Sequence, residues 1–212
     1  MSNILNQSQR DLPFQKAGLR NKNTSSPAVR KRLLIIMIKI TVIKTPLGEM
    51  MAAATRESIC FLAFFEKDMY KNLLPRLEMT FNTTVKKGQN RLLRVLKKQL
   101  REYFKGTRRE FSVPITTPGT GFQKAAWEVL RGIPYGKTIS YLEQAKMLDN
   151  EGAVRAVANA NAANRIAIII PCHRVIGSDG SLTGYGGGLE KKQWLIEHEK
   201  KYSGKPVEGK LF

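Results

Sequence analysis

Residues 166–176 read IAIIIPCHRVI and join an apolar run to a group of reactive side chains. The first five residues are wholly apolar and of strand length, so they predict a buried strand. Pro171 ends this strand, and Cys172, His173 and Arg174 follow directly. An imidazole and a guanidinium beside a thiol are expected to lower the thiol pKa from about 8.5. A cysteine after a buried strand is also often an inert core residue, so this segment alone leaves both interpretations open.

Two helices with a tight turn between them are predicted just before this segment. Ser140 is the expected N-cap of the first helix, which runs to Leu148, and Glu143 takes the capping-box position. A turn at residues 149–150 leads into a second helix over residues 151–163. In a basic protein this outline is typical of a helix-turn-helix motif that binds DNA, although many helical hairpins share it.

The second of these helices, EGAVRAVANANAA, is rich in alanine and has Arg155 as its one strong cation. It lacks the several long polar side chains that normally read base edges in the major groove. A helix with such a small face can approach the DNA backbone or the minor groove closely, with Arg155 as the projecting group. The same alanines also suit a helix packed tightly against a core, and both interpretations stay open.

The charge and cysteine content narrow the class of protein. Lys and Arg number 36 against 17 Asp and Glu, which gives a net charge of +19. This excess favours a polyanionic partner, with a generally basic, solvated surface as the alternative. Cys60 and Cys172 have neither disulfide-framework nor zinc-finger spacing, which indicates a reducing, intracellular compartment. Lys39 and Lys44 interrupt the apolar stretch after residue 32 well short of the roughly 18 residues that span a bilayer, so neither export nor membrane insertion is expected.

The rest of the chain is predicted to divide at a linker rich in Pro, Thr and Gly, residues 114–119. Before it, residues 38–43 and 58–65 predict two strands joined as a hairpin or meander. Residues 91–104 predict an amphipathic helix with leucines on one face. After the linker, residues 120–132 predict the first helix of a mostly helical half.

The motifs of the second half together resemble the O6-alkylguanine-DNA alkyltransferases, or methylated-DNA–protein-cysteine methyltransferases, particularly the bacterial type. The matching segments, in chain order, are 119–123 (GTGFQ), 133–141 (IPYGKTISY), 155–157 (RAV), Asn164, 170–177 (IPCHRVIG), 184–188 (GYGGG) and 194–199 (WLIEHE). The Pro-Cys-His-Arg-Val core with the other segments in this order is highly specific. Residues 38–113 resemble the less distinctive N-terminal domain of the family.

The resemblance implies an α+β fold in two domains. A small mixed αβ domain, ribonuclease H-like, is expected at residues 37–114, and a mostly helical DNA-binding and alkyl-transfer domain with the helix-turn-helix at residues 118–203. Residues 1–36 carry seven basic residues and one acidic residue and are expected to be a disordered leader. Residues 204–212 are expected to be a tail.

The implied activity is DNA repair. An alkyl group moves irreversibly from O6 of guanine in DNA to the protein's own cysteine, once per molecule, and O4-alkylthymine is a further candidate substrate. The expected partner is double-stranded DNA containing O6-alkylguanine, bound by a cytoplasmic monomer that needs no membrane and no obligatory protein partner. Neither a metal nor an organic cofactor is expected.

The resemblance also assigns chemical roles to single positions. Cys172 would be the nucleophile and alkyl acceptor, His173 would take its proton through a water molecule, and Glu199 would hold His173. Asn164 would brace the turn that carries Cys172. Tyr141 would donate toward N3 of the flipped guanine and rotate the 3′ phosphate.

The remaining assigned positions would contact DNA or the flipped base. Arg155 would fill the gap left in the base stack, and Ala153 and Ala156 would lie against the DNA. The base pocket would include Val175, Tyr185 and Gly186, with the carbonyls of Cys172 and Val175 accepting from the exocyclic amine and the N–H of Gly186 facing O6.

Several residues fall outside these roles. Cys60 lies in an apolar, strand-like context and is expected to be structural, and His198 is expected on a solvated helix face. Cysteine and histidine together lack the spacing of a zinc site. Arg165 stands where the family often has Pro, and Ala158 where it often has Gly.

The alternatives to alkyl transfer are a non-catalytic lesion-binding protein on the same fold, a helix-turn-helix regulator and a Cys-His hydrolase.

Overall fold

The computed structural model describes residues 37–66 and 69–204, so the predicted leader and most of the predicted tail lie outside the described residues. The first half is built from strands β1 (Ile38–Thr45), β2 (Gly48–Ala54) and β3 (Ile59–Phe64), helix α1 (Met69–Phe81), strand β4 (Val85–Lys87) and helix α2 (Arg91–Phe104). The second half contains α3 (Gly121–Gly132), β5 (Ile139–Ser140), α4 (Tyr141–Lys146), α5 (Val154–Ala162), β6 (Val175–Ile176) and α6 (Leu189–Ser203). Two short 3₁₀ turns, at Glu151–Ala153 and Cys172–Arg174, precede α5 and β6.

The first half forms a four-stranded sheet in the order β3-β2-β1-β4, in which only β4 runs parallel to its neighbour β1. Successive side chains of a strand point to opposite faces, so each face of this sheet has its own apolar set. Ile38 and Ile40 pack on one face with Leu73 and Leu77 of α1. The opposite face packs against α2 and against side chains of the second half of the chain.

The sequence predicts two strands here, whereas the structure has three antiparallel ones. The missed strand is β2, GEMMAAA, in which the last five residues are all buried. Because β2 is central and covered on both faces, it lacks the alternation of polar and apolar residues that marks a half-buried strand. Helix α1 was also not predicted, and it contains Pro75.

The helix-turn-helix forms as predicted from its local signals. Ser140 caps α4 by accepting from the backbone N–H of Glu143, whose carboxylate accepts in return from the N–H of Ser140. The turn passes through Asp149 at φ +54°, and α5 follows. The buried amides of Gln144 and Asn161 join the two helices, with the Nδ2 of Asn161 donating to the Oε1 of Gln144 at 2.7 Å.

The prediction of a buried strand at residues 166–170 is wrong. The segment makes a single bridge to β3, at Leu62, and then folds into turns in which the N–H of Ile170 donates to the carbonyl of Ile166 at 3.0 Å. Ile168 has a φ of +72°, outside the range of a strand. Ile166, Ile168 and Ile170 are all buried, so the apolar run reports burial correctly but does not fix the backbone conformation.

The segment expected as a linker lies along the edge of the sheet. The N–H of Ile59 donates to the carbonyl of Pro114 at 2.8 Å, and the N–H of Thr116 donates to the carbonyl of Ile59 at 2.9 Å. One apolar core contains residues of both halves, among them Leu62 and Val157. Among the helices of residues 37–66 and 69–204, none has the length and apolar character needed to cross a membrane.

Candidate active site

Cys172 begins a 3₁₀ turn and is held there by the side chain of Asn164. The Nδ2 of Asn164 donates to the Sγ of Cys172 at 3.2 Å and to the carbonyl of Ile170 at 2.8 Å. Its Oδ1 accepts from the N–H of Ile166 at 2.9 Å. One amide therefore ties both ends of the turn at residues 166–170 to the sulfur.

The carboxylate of Glu199, on α6, is the centre of a buried hydrogen-bond network. His173 lies 2.9 Å away through its Nε2, and Arg174 donates twice, from Nε at 2.8 Å and from a terminal nitrogen at 3.0 Å. The hydroxyl of Tyr103, on α2, donates at 2.8 Å, and the N–H of Gly136 donates at 3.1 Å. The network therefore joins α2, α6 and the Cys172 turn.

Glu199 is ionised in this network. Burial by itself would raise the pKa of Glu199, but the hydrogen bonds and charges of His173 and Arg174 hold it well below its usual range. A carboxylate that accepts several charge-assisted bonds can stay charged in the interior because these bonds replace its hydration.

His173 is neutral at physiological pH. Burial is the largest cause and lowers the pKa of His173, Glu199 opposes this, and the cations Arg174 and Lys192 add to the lowering. Since the Nε2 donates to Glu199, the Nδ1 of the neutral ring carries a lone pair. This Nδ1 is buried and has no hydrogen-bond partner in the described part of the chain, so it is available to accept a proton.

The expectation that His173 and Arg174 lower the thiol pKa is wrong. The pKa of Cys172 is raised, because burial outweighs the hydrogen bond from Asn164, the charge of Lys192 and the local backbone N–H groups. The cation that acts on the sulfur is Lys192, and no sequence pattern distinguishes this lysine from its neighbours. Its side chain is fully buried and its Nζ donates to the carbonyl of Thr183.

The predicted base-pocket residues lie on the strand and loop that follow Cys172. Val175 is buried at the start of β6, while Gly186 is exposed. The hydroxyl of Tyr185 is buried and unpartnered within residues 37–66 and 69–204. Tyr141 reaches the same loop, where its hydroxyl donates to the carbonyl of Thr183 at 3.2 Å.

The predicted DNA contacts lie apart from the buried network, at the start of α5. Arg155 and Ala156 are exposed and Ala153 is half-buried. In the part of the chain that the structure describes, Arg155 forms neither an ion pair nor a hydrogen bond with a side chain. The structure thus brings the proposed chemical residues together and leaves Arg155 on the surface.

The structure corrects the expectation for His198. This residue is buried: its Nε2 donates to the carbonyl of Tyr103 at 2.8 Å and its ring stacks on Trp194 at 4.7 Å between centroids. The residues next to His198 in α6 are mostly polar, so the sequence pattern indicated an exposed position. Cys60 is buried in β3, its thiol donates to the carbonyl of Ala53, and burial raises its pKa to about 12.

These features define a class: an α+β protein with a helix-turn-helix and a buried cysteine beside a His–Glu pair. The family model of the 6-O-methylguanine DNA methyltransferase DNA binding domain matches residues 121–201, and that of the family's ribonuclease-like domain matches residues 38–117.

Individual relatives agree with this match. A constitutive methylated-DNA–protein-cysteine methyltransferase of Bacillus subtilis is 40% identical over 161 residues, which are 76% of this chain and 94% of that protein. A methylated-DNA–protein-cysteine methyltransferase of Mycobacterium tuberculosis is 52% identical over 114 residues, covering 54% and 68% of the two chains. The crystal structure of Mycobacterium tuberculosis OGT in complex with DNA superposes with a TM-score of 0.66 at 38% identity and covers 79% of this chain and 94% of that one. The chain belongs to the methylated-DNA–protein-cysteine methyltransferase family, which confirms the resemblance and the fold class predicted from its sequence.

Proposed function

We propose that this protein repairs O6-alkylguanine in double-stranded DNA by taking the alkyl group onto the sulfur of Cys172. The family supports DNA alkyl-transfer repair as the activity. The observation that carries the assignment of residues is the arrangement around the sulfur. A buried thiol is followed in sequence by a neutral His173, whose Nε2 is held by Glu199 and whose Nδ1 remains an open proton acceptor.

The reaction is a displacement at the alkyl carbon. The thiol proton of Cys172 passes through a water molecule to the Nδ1 of His173, and the resulting thiolate forms a carbon–sulfur bond while the carbon–O6 bond breaks. Tyr141 donates a proton to N3 of the departing guanine, and the tyrosinate regains a proton from the protonated His173 through solvent. The net change is that the thiol proton of Cys172 ends on guanine, and Tyr141 and His173 return to their starting states. The thioether is stable, and each molecule therefore reacts once.

Access to the lesion requires the nucleotide to leave the duplex, because O6 faces its partner base. Flipping costs a few kcal/mol of lost stacking and pairing. The small face of α5, with Ala153 and Ala156, can approach the minor groove, and Arg155 takes the place of the flipped base. Tyr141 must then exchange its bond to Thr183 for one to the base.

In the pocket, the carbonyls of Cys172 and Val175 accept from the exocyclic amine of guanine, and the N–H of Gly186 faces O6. The carbonyl of Cys172 already accepts from the N–H of Val175 and has a second lone pair for this purpose. The protein acts on chromosomal DNA in the cytoplasm as a monomer without an obligatory partner.

Stoichiometric labelling tests the proposal. A duplex with an isotopically labelled methyl group on O6 of one guanine is mixed with the full chain, and the labelled peptide is identified by mass spectrometry. We expect one label per molecule, on Cys172, and the same yield from the control variant Cys60→Ala. Cys172→Ala is expected to bind the alkylated duplex without acquiring label, and label on that variant or on Cys60 would refute the assignment.

A further inference from the structure

A cavity lies away from Cys172, between α1, the start of α3 and the segment after α5. Its volume is about 490 Å³, within the usual range of small-molecule sites. Its walls come from both halves of the chain, and neither Cys172, His173 nor Glu199 lines it. The reaction proposed above does not use it.

Two arginines, Arg76 of α1 and Arg165, line this cavity. Within residues 37–66 and 69–204, neither forms an ion pair. They are close enough that, after burial, the charge of Arg76 is the next cause that lowers the pKa of Arg165. Two neighbouring cations that form no ion pair repel each other, and an anion between them would reduce that repulsion. The planar donor fork of arginine suits phosphate oxygens in particular.

The rest of the cavity is suited to an aromatic body rather than to a bare ion. Phe61, Leu77, Phe81 and Trp127 all line it. Nucleobases stack on such aromatic side chains whatever their sequence, because every base has a π-face. A cavity of this volume that is lined by both arginines and aromatic rings suits a phosphate joined to a base.

We propose that this cavity binds a nucleotide, with Arg76 and Arg165 holding the phosphate and the base lying against the aromatic wall. Glu66, which also lines the cavity, disfavours additional phosphates, so a single phosphate fits better than a triphosphate. The shared chemistry is a nucleoside phosphate, supplied either by a free mononucleotide or by an unpaired nucleotide of a DNA strand.

Calorimetric titration of the full chain tests the site with four probes: adenosine monophosphate, adenosine, inorganic phosphate and a short single strand of oligodeoxyadenylate. Arg76→Gln and Arg165→Gln each remove one charge-assisted contact, which is expected to weaken monophosphate binding roughly ten- to a hundredfold. Arg94→Gln is the matched control, since it removes the same charge from an exposed position on α2. Glu66→Gln is expected to tighten binding, which tests the site with a variant that loses no arginine.

The four probes distinguish a free mononucleotide from an unpaired nucleotide of a DNA strand. Saturable binding of the monophosphate supports a free nucleotide, whereas binding of the oligonucleotide alone supports a DNA strand. Adenosine binding as tightly as its monophosphate, equal binding by Arg165→Gln and Arg94→Gln, or no saturable binding of any phosphate probe would overturn the proposal. Binding is also expected to be unchanged in Cys172→Ala, so failure of the alkyl-transfer assay and failure of this site remain distinguishable.

Discussion

Replacing Lys192 with methionine is expected to make the fold more stable and the alkyl transfer slower. The side chain of Lys192 is fully buried, and its Nζ lies 5.7 Å from the centre of the Tyr141 ring. Burial lowers its pKa from 10.5 to about 8, while the nearby Cys172 acts in the opposite direction. The charge of Lys192 in turn lowers the pKa of Cys172.

The expected change in folding stability follows from the lowered pKa of Lys192. A base whose pKa is lower in the folded state than in the unfolded state destabilises the fold at every pH below its unfolded pKa. At pH 7 the shift of Lys192 from 10.5 to about 8 costs roughly 3 kcal/mol, at about 1.4 kcal/mol per unit. Methionine removes this cost but also loses the hydrogen bond from the ammonium to Thr183, worth about 1.5 kcal/mol for a charged donor, and the contact with the Tyr141 ring, worth about 1 kcal/mol. The net gain is about 0.5 kcal/mol, or a rise in Tm of roughly 1–2 °C.

Thermal unfolding at pH 7 and single-turnover alkyl transfer measure the two effects. Loss of the Lys192 charge is expected to raise the pKa of Cys172 further. We expect transfer to slow about tenfold, which corresponds to roughly 1.4 kcal/mol on the barrier. Lys191→Met is the matched control, because it removes the same charge from the adjacent position of α6. Above about pH 8 Lys192 itself loses its proton, so the transfer rates of the wild type and of Lys192→Met should converge. A lower Tm for Lys192→Met, or an equal slowing by Lys191→Met, would refute this account.

Two further variants test the base-flipping and network roles. Arg155→Ala is expected to slow repair of duplex DNA by about tenfold to a thousandfold and to leave the reaction with free O6-benzylguanine almost unchanged, since only the duplex requires a flipped base; an equal loss in both assays would remove Arg155 from that role. Tyr103→Phe removes a donor from the buried Glu199 carboxylate and is expected to lower the free energy of unfolding, measured in urea, by roughly 1–3 kcal/mol. An unchanged unfolding midpoint would show that the other donors satisfy Glu199 without Tyr103.

The parts of the fold that the sequence predicts are those with local signals. The helix-turn-helix is marked by the cap at Ser140 and the turn at Asp149, and both operate within a few residues. Strand β2 has no such signal, because its buried alanines and methionines are compatible with several conformations. The run at residues 166–170 likewise predicts burial alone, and its turns depend on the bonds from Asn164 and on the bridge to Leu62.

The candidate site likewise contains some residues that the sequence indicates and others that only the packing of the chain brings there. Cys172 and His173 are adjacent in sequence and visible at once, and the family resemblance adds Glu199. Tyr103 joins this network across 96 positions of the chain, a contact that only the packing of α2 against α6 creates. Lys192 follows Lys191 in a basic helix, and no local pattern indicates which of the two is buried.

The raised pKa of the Cys172 thiol affects how a protein that reacts only once stays reactive until it meets a lesion. The neighbours of Cys172 in sequence predict a lowered thiol pKa, but burial raises the pKa and keeps the resting sulfur protonated. A protonated thiol reacts slowly with electrophiles, because the thiolate is the nucleophile. For a protein that is consumed by one transfer, such protection preserves the molecule until a lesion arrives.

Asn164 and Lys192 lower the pKa of the same sulfur, and the neutral His173 can take its proton, so the means of activation are already in place when the alkyl carbon enters. Cys60, whose pKa burial raises to about 12, is not expected to compete for the alkyl group. In the proposed reaction, selectivity for Cys172 would therefore arise from its proton acceptor and nearby charge rather than from a thiolate present at rest.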